Sequence, residues 1–558
     1  MKKSKKMLAL FLLVSIILTT VGCGAKKVEN IESDKTQLYI GVAATGIGDE
    51  WLKDAIDRFE KAYADVSFEE GKTGVQVIIA ENNKTTMLGP DLINVIDTTE
   101  TEVFFTEAVF YYEWVNKNKM YDITEAATEK LTEFGEDKSI VDKMDEDLRN
   151  SLTVDGKIYA LPFWMGSYGI TYNATLFDEN SWYYAEDGKF TNASGKLSAG
   201  PDGKTGTYDD GMPSTYDEFY VLLDEINRDN VTPLQWAGAS PDYFSWFLGS
   251  LFADYEGYED LMINYNFDGS TEVVKPGSIN VETGAYETEE IKITKENAYE
   301  LARQEGLLVA LQFAQKILRG MGYYYDANTA LSGAFKQQDA QLEFVRNATS
   351  ASNKPVAMIL EGSWWENEAT TAFEATYGTG ATKFDSEFEY KYMPLPKANK
   401  EAVGTENLWV SPLESYGFLN PNIKEEKVEL ATTFLQFCHT DESLNAFTTI
   451  TGIFKPYNYE FDESKLTPYS KSVAGALENS RVVYPKSNND LYIYSPKSFW
   501  LASLYTTEYE AGKYSWNVTL PMTQKDGAKY TFDYAQYFDG LLTYRKDNLW
   551  KTFSSVLK

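Results

Sequence analysis

Apolar and polar positions alternate along this chain with two periods, and each period marks a different element. Leu38–Ala44 is a near-continuous apolar run of strand length, closed by Gly46, Gly48 and Asp49. A helix is predicted from Glu50, because Leu52, Ala55, Ile56, Phe59, Ala62 and Tyr63 fall on one face. Gly74–Ala80 and Asp91–Asp97 read as two further strands. A strand–helix–strand opening predicts an α/β fold with a mostly parallel sheet and ligand chemistry at the carboxyl ends of its strands. Those ends are Ala44–Gly48, Ala80–Asn83 and Ile96–Glu100. Further on, Asp155-Gly156 predicts a hairpin turn within Ser151–Leu161, and Ser167–Tyr172 reads as another strand. Trp182–Pro213 reads as an exposed polar insertion and Tyr255–Thr294 as a second polar excursion. Proline punctuation at Met393–Pro396 and Gly452–Pro456 marks places for the chain to change lobes.

The longest uncharged apolar run is at the start. Met7–Leu18 is 12 residues, preceded by Lys2, Lys3, Lys5 and Lys6 and followed by Thr20-Val21-Gly22-Cys23. A basic head and a short apolar core make a secretory leader; a spanning helix needs about 20 apolar residues. Cysteine directly after Gly22 resembles a bacterial lipoprotein signal, although Thr20 stands where that pattern usually has Leu. The resemblance implies a leader over 1–22, an acylated Cys23 as mature N-terminus, and a polar tether over 23–36. The protein is then expected on the outer face of the cell membrane, anchored by lipid.

With 558 residues, the chain is long enough for two or three lobes. Loss of the four leader lysines takes the formal charge from −33 to −37. So acidic a surface repels nucleic acid and anionic headgroups, and neither is expected as a partner. Eight arginines occur (Arg58, Arg149, Arg228, Arg303, Arg319, Arg346, Arg481, Arg545), none in an aromatic-rich segment where a carboxylate or phosphate clamp belongs. A neutral ligand is expected. If Cys23 carries lipid, Cys438 has no disulfide partner; it shares an apolar helix face with Val428, Ala431 and Leu435 and reads as core filler. His439, the one histidine, reads as the end of a surface helix, which leaves a histidine-based triad without its base.

Five segments together resemble the extracellular solute-binding proteins of ABC importers, in their carbohydrate-binding branch. They are Gly89-Pro90-Asp91-Leu92-Ile93, Asp155–Pro162 continuing to Tyr172-Asn173, Pro213–Phe219, Ala357–Trp365, and Met393-Pro394-Leu395-Pro396. The resemblance implies a periplasmic-binding-protein-like fold: two α/β lobes with sugar in the cleft between them and no chemistry of their own. The N-terminal lobe is then expected over 37–164 and 393–455, and the C-terminal lobe over 165–392 and 456–558. A monomer that hands a neutral oligosaccharide to the membrane subunits of an ABC permease is implied, without a cofactor.

Three segments are similar to the cleft aromatics of the maltose and malto-oligosaccharide binders. Pro241–Trp246 places Tyr243, Gly362-Ser363-Trp364 places Trp364, and Ser498-Phe499-Trp500 places Trp500 on sugar-contacting positions. Val95 stands where that subgroup stacks a tryptophan, and Gly166 where it has a carboxylate, which sets maltose itself apart from a larger neutral glycan. Trp365, beside Trp364 behind a glycine turn, is taken as a cleft residue too. Asp97 and Glu100, at an expected strand end, and Trp164, at the lobe crossing, complete the ligand candidates. Trp182 and Trp550 read as packing residues, Trp550 near an exposed C-terminus.

Physical chemistry supports these residue types independently. A tryptophan over the C–H face of a pyranose removes roughly 50–80 Å² of apolar area, about 1.5–2 kcal/mol. Hydroxyls left unpaired in a closed cleft cost about 1–3 kcal/mol each, so carboxylates and amides must meet them. Paired carboxylates beside aromatics also describe a secreted glycoside hydrolase, but Glu361 and Glu366 share no helix face. A binder of peptides or another non-sugar solute is the third reading. The loop with Asp202, Asp209 and Asp210 has the glycine turns and acidic density of a calcium loop without EF-hand spacing; a solvated turn is its first reading and a calcium site its second.

Overall fold

The computed structural model describes residues 31–81, 87–349, 354–485 and 522–550. Cys23 and Trp500 lie outside them. In chain order the first lobe opens with β1 (Thr36–Val42), α1 (Glu50–Ala62), β2 (Val75–Glu81), α2 (Gly89–Val95), β3 (Val103–Thr106) and the short β4 (Leu161–Pro162). The chain crosses at 163–167 into β5 (Tyr168–Asn173), α3 (Tyr216–Arg228), β6 (Thr232–Gln235), α4 (Asp242–Asn266) and a hairpin, β7 (Gly269–Val274) with β8 (Thr288–Ile293). Helices α5 (Glu305–Arg319) and α6 (Gln337–Thr349) lead to β9 (Val356–Gly362), α7 (Trp365–Glu368), β10 (Tyr390–Met393) and β11 (Asn407–Val410). A second crossing at 411–415 returns it to β12 (Tyr416–Leu419), α8 (Glu425–Phe437) and α9 (Asp441–Thr451). A third, over 454–466, leads to α10 (Pro468–Glu478) and β13 (Ser480–Val483).

Two mixed sheets result. The first has the order β2-β1-β3-β12-β4, parallel at β2-β1-β3 and antiparallel at β12; the second runs β10-β5-β9-β6, with β9 and β6 parallel. Helices α1 and α8 cover the first sheet, with α9 packed on α1, and α3, α4, α6 and α10 cover the second. Strand β9, Val-Ala-Met-Ile-Leu-Glu-Gly, is buried throughout, as a central strand sandwiched between helices must be. Helix α1 buries Trp51, Leu52, Ala55, Ile56 and Phe59, the apolar stripe its sequence spacing predicts. Among the described residues no helix is long and apolar enough to cross a membrane.

Several expectations are corrected. Asp91–Asp97 is helical: α2 runs on into a 3-10 turn at Ile96–Thr98. Pro90 at the first helical turn needs no N–H partner, and buried Leu92 and Ile96 stand four apart while Val95 is exposed. The third strand is β3, eight residues later. Asp155 and Gly156 do form a left-handed turn, yet it closes a single bridge between Val154 and Lys157, because Glu146–Leu152 is a helix. The 182–213 insertion is anchored at its start by buried Trp182, whose indole N–H donates to Asp229 at 2.8 Å. The 255–294 excursion begins inside α4 and ends in the β7–β8 hairpin. His439 is fully buried, with Nδ1–H on the Leu435 carbonyl at 2.7 Å. Trp550 packs, as expected of it, against Phe267 and Tyr299 and donates to the Glu296 carbonyl at 2.9 Å. The second crossing comes at 411–415, not at 393, because Lys397 ties the intervening chain to Asp254 of α4 at 2.8 Å.

Candidate functional site

A cavity of about 260 Å³ lies between the two sheets, at the crossing segments. Its first-lobe wall is the loop after β1 (Thr45–Ile47) and the loop after β3 (Glu107, Ala108); its second-lobe wall is Tyr168, Tyr243, Trp364 and Glu368. Trp164–Gly166 and Ser411–Ser415 floor it as the chain passes between lobes. Loops after parallel strands gather at one end of a sheet, which is why residues so far apart in sequence converge.

The aromatic wall is a contiguous cluster. Trp364 meets Trp164 edge-on at 5.2 Å and Tyr168 at 5.1 Å; Tyr168 meets Tyr243 at 5.4 Å and stacks on Trp246 at 5.3 Å. Two glycines make room for Trp364. A Cβ at Gly166 would lie 2.6 Å from the Trp364 ring, and one at Gly362 would lie 2.3 Å from it. Gly166, the departure from a carboxylate noted in the sequence, is therefore a steric condition for this indole's position.

Carboxylates face the rings. Glu107 accepts the Thr45 hydroxyl, and burial raises its pKa to about 7, with Glu368 and Glu414 adding like charge. Glu361, at the end of β9 behind the wall, is raised well above the usual carboxylate range by burial and then by Glu368. It accepts from Gln337 and from Gln341, the latter at 3.4 Å, and Gln341 also donates to Glu368 at 3.0 Å. Burial and the charges of Glu368 and Glu361 hold the Tyr243 phenol well above its ordinary pKa. Acceptors beside apolar rings suit a ligand that donates hydroxyls at its rim and presents C–H groups on its face.

Of the residues named from sequence, Trp164, Tyr243 and Trp364 line this cavity. Trp365 does not. It is 0 % exposed in a second core, ringed by Phe344, Phe373, Tyr390 and Tyr469, because consecutive residues around the start of α7 point to different sides. Asp97 is paired with Lys119 on the surface and Glu100 is exposed; both follow the misassigned strand. Asp209 and Asp210 are occupied by the loop's own donors: Asp209 accepts from the Asp202 amide at 2.8 Å and the Thr207 hydroxyl at 2.7 Å, and Asp210 from the Gly206 amide at 2.7 Å and the same hydroxyl at 3.4 Å. Among the described residues no three acidic, cysteine or histidine side chains are grouped to hold a metal. Sequence reasoning missed Glu107, Tyr168 and Glu368. Glu107 was legible in principle, as the first polar residue after Val-Phe-Phe-Thr, once that run is taken as the strand.

A comparison with curated protein sequences finds no match. Solved structures do match across nearly their whole length. One, from a study of xylan utilization by the thermophilic bacterium Caldanaerobius polysaccharolyticus, aligns at TM-score 0.56 and 14% identity, covering 92% of this chain and 100% of that one. The apo-form of RafE from Streptococcus pneumoniae aligns at 0.53 and 15%, covering 92% and 98%. Maltose-bound MalE3 of T. maritima aligns at 0.52 and 14%, covering 92% and 99%. At such identities the likeness speaks for the two-lobe fold alone. Residues 55–475, well over half of the chain, match the family described as bacterial extracellular solute-binding protein. With two lobes, a cavity between them and that match, the chain belongs to the bacterial extracellular solute-binding protein family, and it is a binder rather than an enzyme.

Proposed function

We propose that this protein captures a neutral sugar, an oligosaccharide in particular, and delivers it to the membrane subunits of an ABC importer, acting as a monomer tethered to the outer face of the membrane through a lipid on Cys23. The observation that carries the ligand class is the juxtaposition in one cavity of Trp164, Trp364, Tyr168 and Tyr243 with Glu107 and Glu368. The rings offer apolar cover to a pyranose face and the carboxylates accept its hydroxyls. Structural neighbours from a study of xylan utilization, in complex with raffinose and bound to maltose support a saccharide ligand. A cavity of about 260 Å³ is near the small end of ligand sites, so a longer glycan extends out of it or holds the lobes further apart. Lobe closure around the ligand is the signal the importer reads.

A thermal-shift and calorimetric screen of xylo-, malto- and raffinose-type oligosaccharides beside peptides and amino acids tests the ligand. Stabilisation by at least one neutral oligosaccharide, recovered unaltered after prolonged incubation, is expected; a response to peptides alone refutes the reading. Cys23→Ser should move the protein from membrane to medium, and retention on the membrane refutes the anchor.

A further inference from the structure

The two lobes touch at the wall of the cavity as well as along their crossings, and one side chain makes the hydrogen bonds of that contact. Asn367, on α7 three residues after Trp364, reaches across the cleft; its Nδ2 donates to the carbonyls of Gly46 at 3.1 Å and Ile47 at 2.9 Å. Of the two ends of the Asn367 amide, the NH₂ alone can donate to carbonyl oxygens, so the pairing also defines which way the amide points. Beside it, Glu368 packs so closely on the same loop that a Cβ at Gly46 would lie 2.9 Å from its Cγ. Among the described residues, other hydrogen-bonded contacts between the lobes lie next to the crossings. Lys383 donates to the Thr451 carbonyl at 2.8 Å, just before the third crossing, and Arg481, on the strand paired with β11, meets Asp147 at 3.5 Å. Contacts near a hinge change little as lobes part. One at the cavity wall exists only when they are together.

We propose that Asn367 is the positioning residue of the closed state, a latch that couples occupation of the Trp364 platform to the docking of the second lobe on the Thr45–Ile47 loop. Trp364 and Asn367 share one turn of chain, so a ligand that settles against the indole also places the amide over its two acceptors. Nothing in this depends on the solute being a sugar; it holds for whatever closes the cleft.

The decisive variant is Asn367→Asp. It keeps the shape and sets a carboxylate against two carbonyl oxygens, turning attraction into repulsion on a half-buried position. Spin labels at Val66→Cys in the first lobe and Val221→Cys in the second, both exposed, report the inter-lobe distance on a Cys23→Ser background, with Cys438 buried and unlabelled. The ratio of closed to open molecules is expected to fall by about ten- to a hundredfold in Asn367→Asp, and by less in Asn367→Ala, with melting temperature unchanged. Gly46→Val, a wedge from the other lobe at a backbone conformation open to any residue, should shift the distances the same way. With a malto- or xylo-oligosaccharide that binds, Asn367→Asp should dissociate about tenfold faster or more while associating at the wild-type rate. Identical distance distributions in Asn367→Asp and wild type overturn the latch. Should no oligosaccharide bind, the sugar reading falls, and the ligand-free distances still judge Asn367.

Discussion

Trp364 and Trp365 are adjacent in sequence, and replacing each by alanine should break a different property. Trp364 is half-buried on the cavity wall, held edge-on by Trp164 and Tyr168 and seated over Gly166 and Gly362. Its loss removes roughly 50–80 Å² of apolar cover from a bound ring and the order it lends its neighbours, together about 1.5–3 kcal/mol, or about ten- to 150-fold in affinity. Trp365 touches no cavity and is enclosed by four aromatic rings. Trp365→Ala leaves a void in a close-packed core and should cost about 3–5 kcal/mol of stability. For the folded fraction, affinity should stay within about twofold of wild type, since the cavity wall is unaltered. Calorimetric titration beside thermal unfolding by circular dichroism separates the two effects. A Trp364→Ala protein that melts far lower yet binds normally, or a Trp365→Ala protein with wild-type melting and lost affinity, refutes the assignment of the first to the site and the second to the core.

Three further outcomes follow from the same geometry. Gly166→Ala should push the Trp364 ring aside, costing about 1–3 kcal/mol in overpacking and lowering ligand affinity; unchanged intrinsic fluorescence and affinity would show that the ring is not seated on Gly166. His439 is buried neutral, its pKa lowered to about 3 by burial from an ordinary 6.5, so its contribution is fully present above pH 6.5 and is lost as pH falls toward 3. Between pH 6.5 and 4 that loss is about 3 kcal/mol, and the stability difference between wild type and His439→Gln, followed by urea unfolding, should shrink accordingly as pH drops; a constant difference would contradict it. Glu107 is raised from 4.5 to about 7, so its burial penalty is absent below pH 4.5 and complete above 7. Glu107→Gln should accordingly gain about 3 kcal/mol relative to wild type between pH 4.5 and 8, and no gain on that rise would place Glu107 in contact with water.

What the sequence determined by itself was local. The run Leu38–Ala44 and the one-faced spacing of Leu52, Ala55, Ile56 and Phe59 specify β1 and α1, because period and backbone sterics act over a few residues. Segment order was enough to identify two lobes, and Trp164, Tyr243 and Trp364 stood out as aromatics behind proline or glycine turns. Other features were settled only when distant segments met. Asp91–Asp97 and Val103–Thr106 are both short and apolar, and pairing with β1 and β12 selects the second as the strand, which moves the cleft carboxylate from Asp97 to Glu107. Trp364 and Trp365 carry the same local signal; the core that Phe344, Tyr390 and Tyr469 assemble takes one and leaves the other to the cavity. Asn367 has no mark in sequence at all, since its acceptors are backbone carbonyls about 320 residues away, and any residue presents the same carbonyl. Such partnerships depend on which surfaces the two lobes bring together, and that is a property of the folded chain.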